Sequence, residues 1–235
     1  MKIRGERECQ DCGARFSYYE TGAVTCPECG SIRSRGVGDR ERHTDAAVAL
    51  DLSEARSMAA DGSLEAAADA AASACRDYLR QRGFIDAGEL GDLDEAYLVA
   101  QELVHAAAIV QTRLSLDDAE ERYVLALLEG ADDGDRLAPD AVPKSMHAAR
   151  GLGYATAVRD YRDDLRTVVD DGDRAVRSLL ETLGEHVTRV RAIDGEVDPT
   201  MAESLVVAAR AIGRAVRTGD EEALATARDA LEDLR

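Results

Sequence analysis

The chain has 235 residues, with 47 Asp and Glu against 29 Lys and Arg, which gives a net charge of −18. This length suffices for one full hydrophobic core and a small additional module. No run of about 18 apolar residues occurs, which excludes a membrane span, and the charged N-terminus lacks the hydrophobic region of a signal peptide. We therefore expect a cytoplasmic protein with no membrane partner.

The basic residues are almost all arginine, since Lys2 and Lys144 are the only two lysines. Lysine depletion with abundant carboxylates resembles the proteins of halophilic archaea that accumulate salt, whose solvated acidic groups keep them soluble. An ordinary acidic bacterial protein is the alternative. Residues 1–42 contain eight Lys and Arg and seven Asp and Glu, so the acidic excess lies entirely in residues 43–235.

Two cysteine pairs, each followed by glycine, lie near the N-terminus: Cys9, Cys12 and Gly13, then Cys26, Cys29 and Gly30. Thiols stay reduced in the cytoplasm, so paired cysteines there indicate metal ligands rather than disulfides. The two-residue gap lets both sulfurs of a turn face one ion, and the glycine permits the left-handed backbone that such a turn needs. Four thiolates fill the shell of Zn²⁺, which predicts a structural site and no catalytic residue. Iron in a rubredoxin-like site and a redox dithiol remain alternatives.

The cysteine pairs, with Phe16 four positions after Cys12, resemble the zinc ribbons of transcription factor B type proteins and of many archaeal ribbon proteins. The resemblance covers about residues 5–35. It implies a three-stranded sheet that binds one zinc ion. Such a ribbon contacts protein or nucleic acid. As a whole, the chain resembles haloarchaeal ribbon proteins with an acidic, alanine-rich helical extension, a resemblance that implies no mechanism.

Short β-prone runs within the first 35 residues predict the strands of this ribbon. They are residues 14–19, 23–25 and 31–35. After Thr44 the apolar pattern becomes helical. It predicts helices at 45–60, 63–82, 92–115, 117–130, 142–170, 173–193, 199–217 and 220–234. Because the chain has no Trp and two Phe, its core must be built mainly from Ala, Leu and Val, which favours closely packed helices.

The predicted fold class is therefore mainly α, with a small β zinc ribbon followed by a multi-helix bundle. The predicted domains are the ribbon at 1–35, a linker at 36–44 and the acidic helical domain at 45–235. The acidic, glycine-containing segment 131–141 is expected to divide that domain into two halves.

Helix boundaries are also predicted from local chemistry. Thr200 followed by Glu203 has the spacing of a capping box, and Gly83 and Gly219 are expected to end helices.

Three features of the helical part suggest chemistry but favour a structural interpretation. Glu102 and His105 have the Glu-x-x-His spacing of di-iron bundles, yet no second copy of that motif is present. Cys75 lies in an alanine-rich stretch, which favours a buried small side chain over a nucleophile. Gly151 and Gly153 lack the third glycine of a phosphate-binding loop, so tight helix packing explains them better.

Four arginines form the clearest local basic cluster: Arg33, Arg35, Arg40 and Arg42. Contact with nucleic-acid phosphates is one interpretation. We favour the other, in which they are solvated or pair with the acidic helical domain, because concentrated salt suppresses binding driven by counterion release.

The sequence thus favours a non-enzymatic adaptor or regulatory protein. Its ribbon would contact a macromolecular partner of the transcription or translation machinery, and its helical grooves would bind a protein partner. The alternative is an enzyme or small-ligand binder with its site in the helical domain, since a pocket between helices leaves no local motif.

Overall fold

A computed structural model describes residues 1–170 and 172–234; Asp171 and Arg235, the last residue of the predicted helical domain, lie outside the described residues. The chain forms two compact units. The N-terminal unit contains Met1–Val48 and Gln81–Gly91, and the helical unit contains Ala49–Arg80 and Asp92–Arg235. The predicted mainly-α fold with a small N-terminal β region is confirmed. The predicted domain boundaries at 35 and 44 stay a prediction. They concern which segments fold independently, and the division into compact units does not test that.

The N-terminal unit contains short antiparallel strands and one helical turn. They are β1 Lys2–Ile3, β2 Glu6–Cys9, β3 Arg15–Ser17, α1 Tyr18–Thr21, β4 Ser34–Gly36, β5 Glu41–Arg42, β6 Ile85–Asp86 and β7 Glu89–Leu90. Strand β2 lies at the centre of a three-stranded sheet between β3 and β4. The other strands form the pairs β1–β5 and β6–β7.

The predicted strand at 23–25 is wrong, and the sheet uses β2 in its place. The Thr21 hydroxyl donates to the carbonyls of Ser17 and Ala23, and Gly22 adopts φ 63°, so turn chemistry holds this segment out of the sheet. Three of the four residues of β2 are charged, so its apolar pattern is weak. Its pairing on both edges makes it a strand.

The helical unit is built from eight α-helices within the described residues. They are α2 Ser53–Ala60, α3 Leu64–Gln81, α4 Glu95–Thr112, α5 Asp118–Gly130, α6 His147–Val168, α7 Arg174–Ala192, α8 Pro199–Thr218 and α9 Glu221–Glu232. Each predicted helix corresponds to one of these, although the first begins at Ser53 rather than near 45. Residues 131–138, with a short 3-10 turn at Pro139–Ala141, connect α5 to a second such turn before α6.

Helix starts are fixed by aspartates. Asp117 and Glu120 form a capping box at the start of α5. The predicted box at Thr200 is wrong, because Asp198 caps α8 by accepting the Thr200 amide at 2.9 Å. Gly219 ends α8 in the left-handed conformation with φ 69°, as predicted.

Helix α6 is the central element of the helical unit and packs against α4, α7 and α8. Gly151 and Gly153 allow this close approach, as predicted from the sequence. A Cβ at Gly153 would lie 2.7 Å from the backbone of Glu102, and one at Gly151 would lie 2.1 Å from the carbonyl oxygen of Gly195. The bundle therefore depends on glycine where α6 meets α4.

A buried ion pair links α4 to α6 in this core. Arg150 and Glu102 are both 0 % exposed, and Arg150 Nε lies 2.6 Å from Glu102 Oε1. The hydroxyl of Tyr123 also donates to Glu102, and Arg150 donates to the carbonyl of Leu137 at 3.0 Å. Burial raises the pKa of Glu102, and the charge of Arg150 opposes that rise. This pairing uses the carboxylate of the Glu-x-x-His motif, so its role is structural.

Candidate metal centre

The two cysteine turns have the same backbone geometry. In each, the glycine amide donates to the carbonyl of the first cysteine, from Gly13 to Cys9 at 3.1 Å and from Gly30 to Cys26 at 2.9 Å. Both glycines are left-handed, with φ of 76° and 71°, and a Cβ at either position would strain the turn. The predicted function of the two glycines is confirmed.

The turns bring all four thiols together. Every Sγ of the four cysteines lies within 4.8 Å of the others. The distances Cys9 to Cys29 and Cys12 to Cys26 are both 3.7 Å. A tetrahedron with metal–sulfur bonds of about 2.3 Å has edges of about 3.8 Å, whereas a disulfide needs about 2.05 Å. The arrangement therefore fits four ligands of one metal ion.

A small apolar cluster backs the thiols. Cys9 and Cys26 are each 1 % exposed and pack with Phe16, and Ala14 is partly buried against them. Cys12 and Cys29, the second members of the two pairs, are exposed. Without Cys9 and Cys26, this apolar cluster would consist of little more than Phe16 and Ala14.

Side chains between the cysteines connect the two turns. Asp11, in the first turn, accepts hydrogen bonds from the Ser31 hydroxyl and from Arg33 Nη1, the latter at 2.9 Å. The backbone amide of Gln10 donates to the carbonyl of Arg33 at 2.8 Å. Sequence reasoning missed Asp11 and Ser31, because single polar residues in turns carry no periodic signal.

A known protein family covers almost the whole chain. Residues 1–231 match DUF7117, a family of unknown function. The chain belongs to this family. No curated protein and no solved structure matches it. Since the DUF7117 match extends from the cysteine turns to α9, the combination of both units characterises the family rather than this chain alone.

In this DUF7117 protein, hydrogen bonds and burial shift the pKa of Cys9, Cys12 and Cys29 in different directions. Amides of Cys12 and Asp11 that donate to Cys9 lower its pKa to about 7. At Cys29 the amide of Ser31 acts in the same direction, but hydrogen bonds with neighbouring thiols and burial prevail and raise the pKa to about 12. The pKa of Cys12 is also raised. Four thiolates this close repel one another, so a cation is needed for all of them to ionise together at neutral pH.

Two of the four predicted basic residues pair within the N-terminal unit. Arg33 pairs with Asp11 at 2.9 Å, and Arg35 pairs with Glu8 at 3.2 Å. Both side chains are largely exposed, as in the solvated alternative, and their carboxylate partners lie in the turn and strand beside them rather than in the helical domain. Of the other two, Arg42 lies on β5 opposite Lys2, and Arg40 lies in the segment before β5.

No other group of three or more potential metal ligands occurs among residues 1–170 and 172–234. His105 is half-buried, and burial lowers its pKa. Cys75 is fully buried in α3, which raises its pKa to about 12, in agreement with its interpretation as a small buried side chain. Within the described part of the chain, no helix has the length and apolar character needed to cross a membrane.

Proposed function

We propose that this protein is a non-enzymatic adaptor whose N-terminal unit is a zinc ribbon that contacts a macromolecular partner. The observation that carries the proposal is the convergence of four thiols at tetrahedral spacing on two identical turns. Four sulfurs leave no open position on Zn²⁺ for water or substrate, so the ion orders the unit instead of catalysing a reaction. Iron could use the same four sulfurs, and zinc is proposed because two Cys-x-x-Cys pairs at this spacing are typical of structural zinc sites.

The helical unit supplies a second contact surface in this proposal. Val190, Ile193, Val197 and Met201 line a cavity of about 360 Å³ near the end of α7 and the start of α8. Ile193 is 48 % exposed there. The cavity is also lined by His186, Arg189, Glu196 and Asp198, so its apolar floor with a charged rim supports binding of a protein segment. The acidic, lysine-poor composition supports a cytoplasm with concentrated salt as its setting.

Affinity purification at native salt tests the adaptor. The full chain and a variant with Cys26→Ser and Cys29→Ser are compared with the matched control Cys75→Ala, which removes the fifth cysteine and leaves the metal site intact. We expect partners that the wild type and the control retain and the double variant loses. An unchanged set of partners in the double variant would refute the adaptor role. Metal-resolved mass spectrometry of the same samples identifies the ion.

A further inference from the structure

A basic cavity lies in the N-terminal unit. It has a volume of about 520 Å³ and is lined by Lys2, Arg4, Arg7 and Arg40, together with Tyr18, His43 and four residues without charged side chains. No Asp or Glu is among its lining residues. One residue in five of this chain is acidic, since 47 of 235 are Asp or Glu. A cavity lined by four cationic side chains and no anionic one therefore contrasts with the rest of the chain.

The three-stranded sheet separates paired from unpaired arginines. Successive residues of a strand point to opposite faces, so Glu8 and Arg7 of β2 lie on different sides. On one side Glu8 pairs with Arg15 at 3.9 Å and with Arg35 at 3.2 Å. Arg7, on the other side, lies opposite Gly36 and faces the cavity. Arg15 and Arg35 are thus paired with a carboxylate, whereas Arg7 and Arg40, the latter from the predicted cluster, line the cavity.

The cavity arginines are available to an external anion. Lys2, Arg4 and Arg40 are exposed and form no ion pair within the described residues. Arg7 is held in place instead, because its Nε donates to the Ser34 hydroxyl at 2.9 Å and its Nη2 to the Ser34 carbonyl at 3.1 Å. A guanidinium held by hydrogen bonds beside exposed cationic side chains combines preorganisation with adaptable hydrogen bonding.

Aromatic rings form one wall of this cavity. The ring centroids of Tyr18 and His43 are 6.1 Å apart in an edge-on arrangement, and His43 also lies 4.8 Å from the ring of Tyr19. Two carboxylates lie beside these rings: Glu41 accepts from the Tyr19 hydroxyl at 3.4 Å, and Asp86 Oδ1 lies 3.2 Å from His43 Nδ1. A flat ring next to guanidinium groups matches a base next to a phosphate.

We propose that the basic cavity binds the phosphate of a nucleotide, with the base against Tyr18. The inference rests on the proposed function and names the chemistry of the partner that the N-terminal unit contacts. Arginine binds phosphate oxygens through paired N–H donors, and the volume lies within the usual range of about 300–1,000 Å³ for small-molecule sites. A free nucleotide and the backbone of a single-stranded nucleic acid supply the same chemistry.

Fluorescence anisotropy of the metal-loaded full chain tests this site. The probes are a labelled single-stranded RNA of about ten nucleotides and, in competition, AMP. The variant Arg4→Gln, Arg40→Gln removes two unpaired cavity charges. The matched control Arg33→Gln, Arg35→Gln removes the same net charge from residues that are paired with Asp11 and Glu8.

We expect the cavity variant to bind the RNA about tenfold more weakly, and the control to bind it about as well as the wild type. The salt dependence of log K should also become shallower by about 0.7 for each phosphate that the variant no longer neutralises. Displacement of the RNA by AMP at comparable concentration identifies a nucleotide site, and retention of the RNA identifies the phosphodiester backbone as the ligand. No RNA binding by the wild type, or equal loss in both variants, would overturn the proposal.

Metal content measured on each variant separates this test from that of the adaptor. A variant that retains its metal and its protein partners but not the RNA supports the cavity assignment.

Discussion

Different interactions stabilise each of the two units of this protein. The N-terminal unit places four cysteine sulfurs around one point, with a cluster of Cys9, Cys26 and Phe16 behind them. The helical unit buries alanine, leucine and valine side chains on helices that pack around α6. A small module has too little apolar surface for stability, so it needs a metal or another crosslink, whereas a large bundle does not. We therefore expect metal removal to destabilise the N-terminal unit far more than the helical unit.

The largest expected effect is metal removal by Cys26→Ser. Structural zinc supplies about 10–16 kcal/mol in isolated zinc-finger peptides, which exceeds the net stability of most small domains. We expect amide hydrogen exchange to become fast across β2, β3 and β4 while the protection of α4 and α6 is retained. Hydrogen-exchange mass spectrometry with Cys75→Ala as the control measures this difference. Loss of protection in the bundle as well would mean that the units do not differ as described.

The next effect concerns the helical unit alone. Arg150→Met leaves Glu102 buried without its cation, which costs about 3–5 kcal/mol of unfolding free energy. Chemical denaturation followed by far-UV circular dichroism measures this change, and the exposed Arg228→Met on α9 is the matched control. The metal content should stay that of the wild type. A change below about 1 kcal/mol would show that the buried pair contributes little.

Glycine packing at α6 should have a smaller effect. Gly153→Ala introduces a Cβ 2.7 Å from the backbone of Glu102, and such overpacking costs about 1–3 kcal/mol. The matched control is Gly172→Ala, whose Cβ would meet no atom within 4 Å and whose φ is not left-handed. That variant should be neutral or slightly stabilised, because alanine loses less conformational entropy on folding than glycine. Equal destabilisation of both variants in thermal unfolding would contradict this account of the α4–α6 contact.

The smallest effect is pH dependence at the contact of α2 with α5. Hydrogen bonds from Arg56 lower the pKa of Asp132. A depressed folded pKa adds stability above the unfolded value of about 3.9 and loses it as pH falls through the folded pKa. Asp132→Asn should therefore cost about 1–2 kcal/mol near pH 7, and its deficit should shrink below about pH 4.

Denaturation midpoints across this pH range measure the deficit, with the exposed Asp229→Asn as the control. A deficit that is independent of pH would show that Asp132 contributes packing and not charge.

Periodicity made the helices predictable, and spacing made the cluster of four thiols predictable. The stripe of Leu179, Leu183, Val187 and Val190 is buried, because a 3.6-residue repeat directly encodes one face of a helix. The cysteine pairs encode their turns in four residues each. By contrast, β2 is a strand only through its neighbours, and the pair of Arg150 with Glu102 joins residues on two different helices.

The basic cavity could not be predicted either, because its residues come together only in the folded structure. Lys2, Arg7 and Arg40 are separated in the sequence, and only the pairing of β1 with β5 and of β2 with β4 places them around one space. The predicted arginine cluster was visible because its members are adjacent, yet Arg33 and Arg35 have carboxylate partners. Local sequence shows where charge is abundant, and tertiary structure decides which charge is free.

Metal stoichiometry of the freshly purified protein, kept reduced, tests the central claim most directly. Native mass spectrometry should show one zinc ion per chain in the wild type and in Cys75→Ala, and none in Cys26→Ser, Cys29→Ser. A wild-type chain without a stoichiometric metal ion would contradict the account of the N-terminal unit and the function proposed for it.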